Sequence, residues 1–168
     1  MAWEAPVSLR STPLLALLLL VPAAAGARPW NGIEPGVTPR DEVVKRFGPP
    51  SKTLTVEGRQ VLAYTGSAAI KGTAQAQFRV DLATGVVERI DVFPGPVVDR
   101  ETVESTYGPP CPAAGAAPPG GICFQKKLTD DFRTYYVYPR LGLAVFFDED
   151  GDKVQSFVFQ PVKPARAP

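Results

Sequence analysis

Residues 37–50 read VTPRDEVVKRFGPP and residues 97–110 read VVDRETVESTYGPP, the same pattern at an offset of 60. Val37 and Val97, Arg40 and Arg100, Val43 and Val103, Gly48 and Gly108 and both prolines coincide, while Asp41/Glu101 and Phe47/Tyr107 are chemically close. Each copy describes one short helix. In the first, Thr38 is placed to cap, Pro39 suits the first helical position, and Asp41 lies in the first turn, where the helix dipole favours an anion. In the second, Asp99 is the cap. Val43 with Phe47, and Val103 with Tyr107, are spaced i to i+4 and share one helix face that must pack on something. The glycine supplies a left-handed residue and the double proline forbids continuation, so each GPP stops a helix and sends the chain into an extended strand.

The strands that follow repeat as well. GRQVLAYTG from Gly58 lies over FRTYYVYPR from Phe132, and AQFRVDLATGVVERIDVFP (76–94) lies over LAVFFDEDGDKVQSFVFQP (143–161). In both, an alternating strand runs into a Gly-containing turn and a second alternating strand, the signature of a hairpin. SKTLTV at 51 and ICFQKKL at 122 add a further strand to each copy. The expected fold class is α+β: two tandem repeats, 28–95 and 96–161, each a short helix followed by an antiparallel sheet of about four strands, with the helices on one face of the sheets. Residues 162–168 have nothing to bury and are expected to form a disordered tail.

Residues 1–27 stand apart. STPLLALLLLVPAAAGA is an uncharged apolar run that follows Arg10 and ends in small residues, which reads as a signal peptide cleaved after Ala27. The run contains Pro13 and Pro22 and falls short of the roughly 20 residues of a spanning helix, so no transmembrane anchor is expected. With no cysteine at its end, no lipid anchor is expected either. The expected location is the periplasm or the medium. About 140 residues then remain, with a formal charge of +1. That balance argues against nucleic acid as a partner, which demands a basic excess. The 19 prolines and 15 glycines gather in turns and tails, as in a turn-rich globular protein.

Cys111 and Cys123 are the only two cysteines, and export places them where a pair becomes a disulfide. They bracket PAAGAAPPGGI, a loop of small residues that packing alone cannot order.

GVTPRDEVVKRFGPP (36–50) followed by strands resembles the opening of the SmpA/OmlA family, the small accessory lipoproteins of outer-membrane β-barrel assembly. Two such units in tandem are similar in architecture to the secreted β-lactamase-inhibitory protein. The resemblance implies helices against one side of a sheet and a partner protein gripped by the other, concave side. It implies neither β-lactamase as the target, since no inhibitor contact motif is present, nor the lipid attachment of the assembly proteins.

Alternation assigns faces. Leu62, Tyr64, Ala76, Phe78, Val80, Ile90 and Val92 of the first copy match Tyr136, Tyr138, Leu143, Val145, Phe147, Phe157 and Phe159 of the second, and form the expected core. The opposite face carries Gln77, Arg79, Asp81, Arg89 and Asp91 in the first copy, an ordinary solvated surface. In the second it carries Arg133, Tyr135, Val137, Phe146 and Val158. Arg133, Tyr135, Val137 and Phe146 are therefore the expected partner-binding residues, because exposed patches rich in Tyr, Phe and Arg mark interaction sites. A covering of this face by the Cys111–Cys123 loop, or by the other copy, is the competing reading.

Catalytic and metal chemistry finds no foothold. There is no histidine for a nucleophile–base pair, and the disulfide consumes both thiols. DEDGDK (148–153) has its glycine in the fourth place where an EF-hand needs the sixth, and reads as a hairpin turn. SAAIK (67–71) misses the S-x-x-K spacing by one residue, and Asp130/Asp131 are turn residues. The sequence thus points to an exported, non-enzymatic binding module without cofactor or metal that engages another protein through its second copy. The alternative is an accessory protein of the cell envelope or of outer-membrane assembly.

Overall fold

A computed structural model describes residues 27–112 and 121–162. Residues 1–26 of the expected leader, 163–168 of the tail and 113–120 between the cysteines lie outside the described residues. Along the chain run α1 (Arg40–Phe47), β1 (Lys52–Val56), β2 (Arg59–Thr65), β3 (Thr73–Asp81), β4 (Val87–Pro94), α2 (Arg100–Tyr107), β5 (Gln125–Leu128), β6 (Thr134–Tyr138), β7 (Leu143–Phe147) and β8 (Val154–Phe159).

The strands do not form two sheets. All eight belong to one antiparallel sheet in the order β1-β2-β3-β4-β8-β7-β6-β5, so the fold is mostly β with two short helices. This corrects the expected α+β pair of tandem repeats, each with a sheet of its own. The reason is that two four-stranded sheets would each leave β4 or β8 as a raw edge of unpaired N–H and C=O groups. Pairing Ile90 with Phe159, Asp91 with Val158 and Val92 with Phe157 removes both edges. Ile90, Asp91 and Val92 are consecutive buried residues, as are Val158 and Phe159, which is the burial of central strands rather than of edges.

One face of the sheet holds the core. Leu62, Tyr64, Phe78, Val80, Ile90, Tyr138, Leu143, Val145 and Phe147 are all but fully buried, with Val43 of α1 and Val103 of α2 packed into the same cluster. Phe157, expected in that core, is only partly buried against it. On α1, Phe47 meets Tyr64 and Phe78 with ring centroids 6.0 and 5.6 Å apart. On α2, Tyr107 meets Tyr138 and Phe157 at 5.7 and 6.2 Å. The entering segment bridges the two helices. Trp30 lies 6.1 Å from Phe47 and 5.9 Å from Phe78, and the Arg28 guanidinium lies 5.0 Å from the centre of the Tyr107 ring.

The helix ends follow the sequence with one difference. Asp99 caps α2 by accepting a hydrogen bond from the Thr102 amide at 2.7 Å. Thr38 does not cap α1. Its hydroxyl oxygen accepts from the Glu34 amide at 2.8 Å, closing the preceding turn, and the helix begins one residue later with Pro39 at the cap position and no side-chain hydrogen bond. Gly48 and Gly108 end the helices with φ of 79° and 117°, but with extended ψ, so each releases the chain directly into a straight run. At Gly108 a Cβ would lie 2.4 Å from the Ile122 carbonyl oxygen, so glycine is required there for space as well as for conformation. The Tyr64 and Tyr138 hydroxyls donate to the carbonyls of Gly48 and Gly108 at 3.0 and 3.3 Å, tying each helix end to the sheet beneath it.

Candidate functional site

The sheet face opposite the helices is the candidate site, and strand register sets its layout. In the β5–β8 half, Tyr135 pairs with Phe146, Val137 with Ala144, and Ala144 with Val158. The Tyr135 and Phe146 rings stack with centroids 4.9 Å apart and planes within 8°, and both residues are half-buried. Such an offset pair presents a flat apolar surface. Arg133 stands at the end of this strip, but its guanidinium is engaged: Nε donates to Asp131 Oδ2 at 2.6 Å and Nη1 to Gln155 Oε1 at 3.4 Å. Val158, expected on the open surface, is buried at the centre of the sheet. The structure thus brings Tyr135, Val137 and Phe146 together on one face and turns Arg133 toward its own hairpin.

Beside the strip lies a cleft of about 400 Å³ lined by Gln125, Lys127, Val137, Ala144, Gln160 and Pro161 among others. Val137 lines the cleft and follows Tyr135 on the same face of β6, so the aromatic stack adjoins a cleft of mixed polar and apolar lining. Gln160 and Pro161 also wall a second cleft, of about 630 Å³, on the β1–β4 half, lined by Arg59, Arg79, Glu88 and Arg89. Its charges are largely paired. Arg59 Nε donates to Glu88 Oε1 at 2.6 Å, and Arg89 Nε reaches both oxygens of Asp91 at 2.9 and 3.0 Å. Asp91, expected on a solvated surface, is in fact buried under that guanidinium.

The tyrosines pushed farthest upward lie on the core face. Burial, helped by the hydrogen bond from its hydroxyl to Glu104 Oε1 at 2.8 Å, pushes Tyr136 up to about 12. Burial raises Tyr138 further still. Both are held neutral as core hydrogen-bond donors. Among the described residues no group of three or more His, Cys, Asp or Glu side chains is placed to hold a metal ion, and no helix is long and apolar enough to cross a membrane.

Cys111 and Cys123 form the expected disulfide, with Cα atoms 4.9 Å apart. It ties the segment after α2 to the start of β5, where Cys111 N donates to Phe124 O at 2.8 Å and Phe124 N to Pro109 O at 3.0 Å. Phe124 in turn stacks on Tyr136 at 3.7 Å. The disulfide therefore anchors the edge of the half that carries the aromatic strip.

Sequence reasoning passed over one residue. Phe132, at the tip of the β5–β6 hairpin, is 82% exposed and has φ of 61°. The signal was a phenylalanine aligned with Gly58, which itself has φ of 75°.

Set against known proteins, the chain matches no family model, no curated protein and no solved structure.

Proposed function

We propose that the protein is an exported, non-enzymatic binding module that engages another protein through the helix-free sheet face and adjoining loops of its β5–β8 half. The observation that carries this reading is the stacked Tyr135–Phe146 pair, lying on the face that no helix covers among the described residues and adjoining through Val137 a cleft of mixed polar and apolar lining. Aromatic pairs in such settings supply large contact area at small cost in conformational entropy, and are the usual anchors of protein interfaces. The Cys111–Cys123 disulfide supports export, since such bonds persist in oxidising compartments.

The test places a photo-crosslinking side chain at Phe146, and as a control at Glu101, which is exposed on α2. In cells that make the protein, one partner is expected to crosslink from position 146 and not from 101. Purified partner should then bind the Y135A/F146A double variant at least tenfold more weakly than the parent, with the fold intact by circular dichroism. Undiminished binding would refute the site, and turnover of any substrate by the purified protein would refute the non-enzymatic reading.

A further inference from the structure

We infer that Phe132 is a partner-binding anchor, held out from the β5–β6 hairpin to enter an apolar pocket on the partner protein. The inference rests on the reading that this half engages a partner, and adds the most exposed of its large apolar residues.

Phe132 is unfavourable for the fold on two independent counts. Its φ of 61° lies in the left-handed region, which L residues other than Asn, Asp and Gly adopt at a cost and bulky residues rarely adopt at all. Its ring is 82% exposed, the most exposed of the large apolar side chains, and enters neither the core cluster nor any aromatic pair among the described residues. A strained residue normally repays its cost through packing, and here nothing in the described fold does so.

The surrounding loop holds that conformation firmly. The Phe132 amide donates to the Thr129 carbonyl at 3.0 Å, and the Thr129 amide donates to the Arg133 carbonyl at 2.9 Å. The Arg133 amide donates to the Thr129 hydroxyl at 2.9 Å, and the same hydroxyl donates to Asp131 Oδ1. The Arg133 guanidinium grips the other oxygen of Asp131. The hairpin is a preorganised mount, and preorganisation lowers the entropic cost of docking. The β1–β2 hairpin turns on two residues, Glu57 and Gly58, both at positive φ, whereas Phe132 closes a longer loop at a left-handed position that glycine ordinarily fills. A phenylalanine there points to a use for the ring beyond the turn, which fits the concentration of backbone strain at functional sites.

The neighbourhood suits an apolar pocket. Tyr135 and Phe146 continue from the hairpin along the open face, while Leu128, 56% exposed and paired with Thr134, closes β5 on the other face. Asp131 and Arg133, which flank Phe132 in the chain, are ion-paired and set polar groups beside it, as at the rim of an interface anchor.

Two measurements test this. The first is stability: F132G and F132N should unfold at higher denaturant midpoints than the parent. A lower midpoint would show that the fold itself uses the ring, and would overturn the inference. The second is binding: the partner that crosslinks from position 146 should also crosslink from position 132, and the purified partner should bind F132G about thirtyfold more weakly or worse. Crosslinking from 146 with undiminished F132G binding would overturn the anchor while leaving the sheet-face reading intact. Crosslinking from 132 alone would support the anchor and overturn the strip, and crosslinking from neither would overturn both. Insertion of an F132W fluorophore into neutral phosphatidylcholine vesicles, or self-association lost in F132G, would assign the ring to a membrane or a second copy and overturn the inference.

Discussion

At matching places on the helix-free face, the β1–β4 half sets Val61 beside Arg79 and Arg89, and the β5–β8 half sets Tyr135 beside Phe146 and Ser156. The strand frame is shared and the chemistry is opposite. The first half pairs most of its charges internally, Arg89 with Asp91 and Arg59 with Glu88, and makes a polar surface. The second half leaves an apolar stack and a projecting phenylalanine with no cover among the described residues. The core face, where Tyr64 and Tyr138 reach the equivalent helix-ending carbonyls of Gly48 and Gly108, holds the two halves to a common frame. The open face is thereby free to diverge, and a surface that differs where the frame does not is where function is to be sought.

Substitutions that treat the halves unequally probe this contrast. The largest difference is expected in the core: Phe78, fully buried among Trp30, Phe47 and Tyr64, should lose about 4 kcal/mol of stability on substitution by Ala, against about 2 kcal/mol for Val145→Ala at the corresponding place, read from urea midpoints. Loss of the disulfide in C111S/C123S should cost about 3 kcal/mol by freeing the loop in the unfolded chain, and should loosen β5 selectively in amide exchange. Asp91→Ala should cost about 2 kcal/mol because it strands the Arg89 guanidinium. Installing the other half's pair, R89S/D91V, should return stability to within about 1 kcal/mol of the parent. A double variant as unstable as D91A would show that the ion pair is needed for more than mutual compensation.

The smallest effect concerns Tyr136, whose place in the first half is taken by Leu62. Tyr136→Phe should cost about 1 kcal/mol at neutral pH by removing the hydrogen bond to Glu104. The parent should also weaken in alkali. The folded state holds the Tyr136 proton up to about 12, above the ordinary value of 10.0, so this contribution is complete below pH 10 and is lost as pH rises toward 12. The slope of stability against pH over that window should be shallower in Y136F.

Much of the scaffold was legible because it is local. Helix positions, the GPP stops, the alternation of Phe78 with Arg79 and of Val145 with Phe146, and the cysteine pair all follow from short-range patterns. The β4–β8 seam was not, because alternation tells which face a residue takes and not which strand lies beside it. For the same reason Asp91 and Val158 read as open-face residues, although the centre of a sheet buries both faces. Thr38 misled because a threonine before a helix serves equally well in the turn that precedes it. Phe132 was passed over because a left-handed φ is invisible in sequence except by alignment with Gly58.

Both readings of the open face require the two halves to share one sheet, since Gln160 and Pro161, the wall between the two clefts, directly follow the strand that joins them. Native-state amide exchange of residues 90–92 and 157–159 tests that union most directly. The one-sheet structure predicts that these seam amides exchange only on global unfolding, at the same free energy as the central amides of β3 and β7. Seam amides that open at much lower free energy, while the two halves stay separately protected, would contradict it.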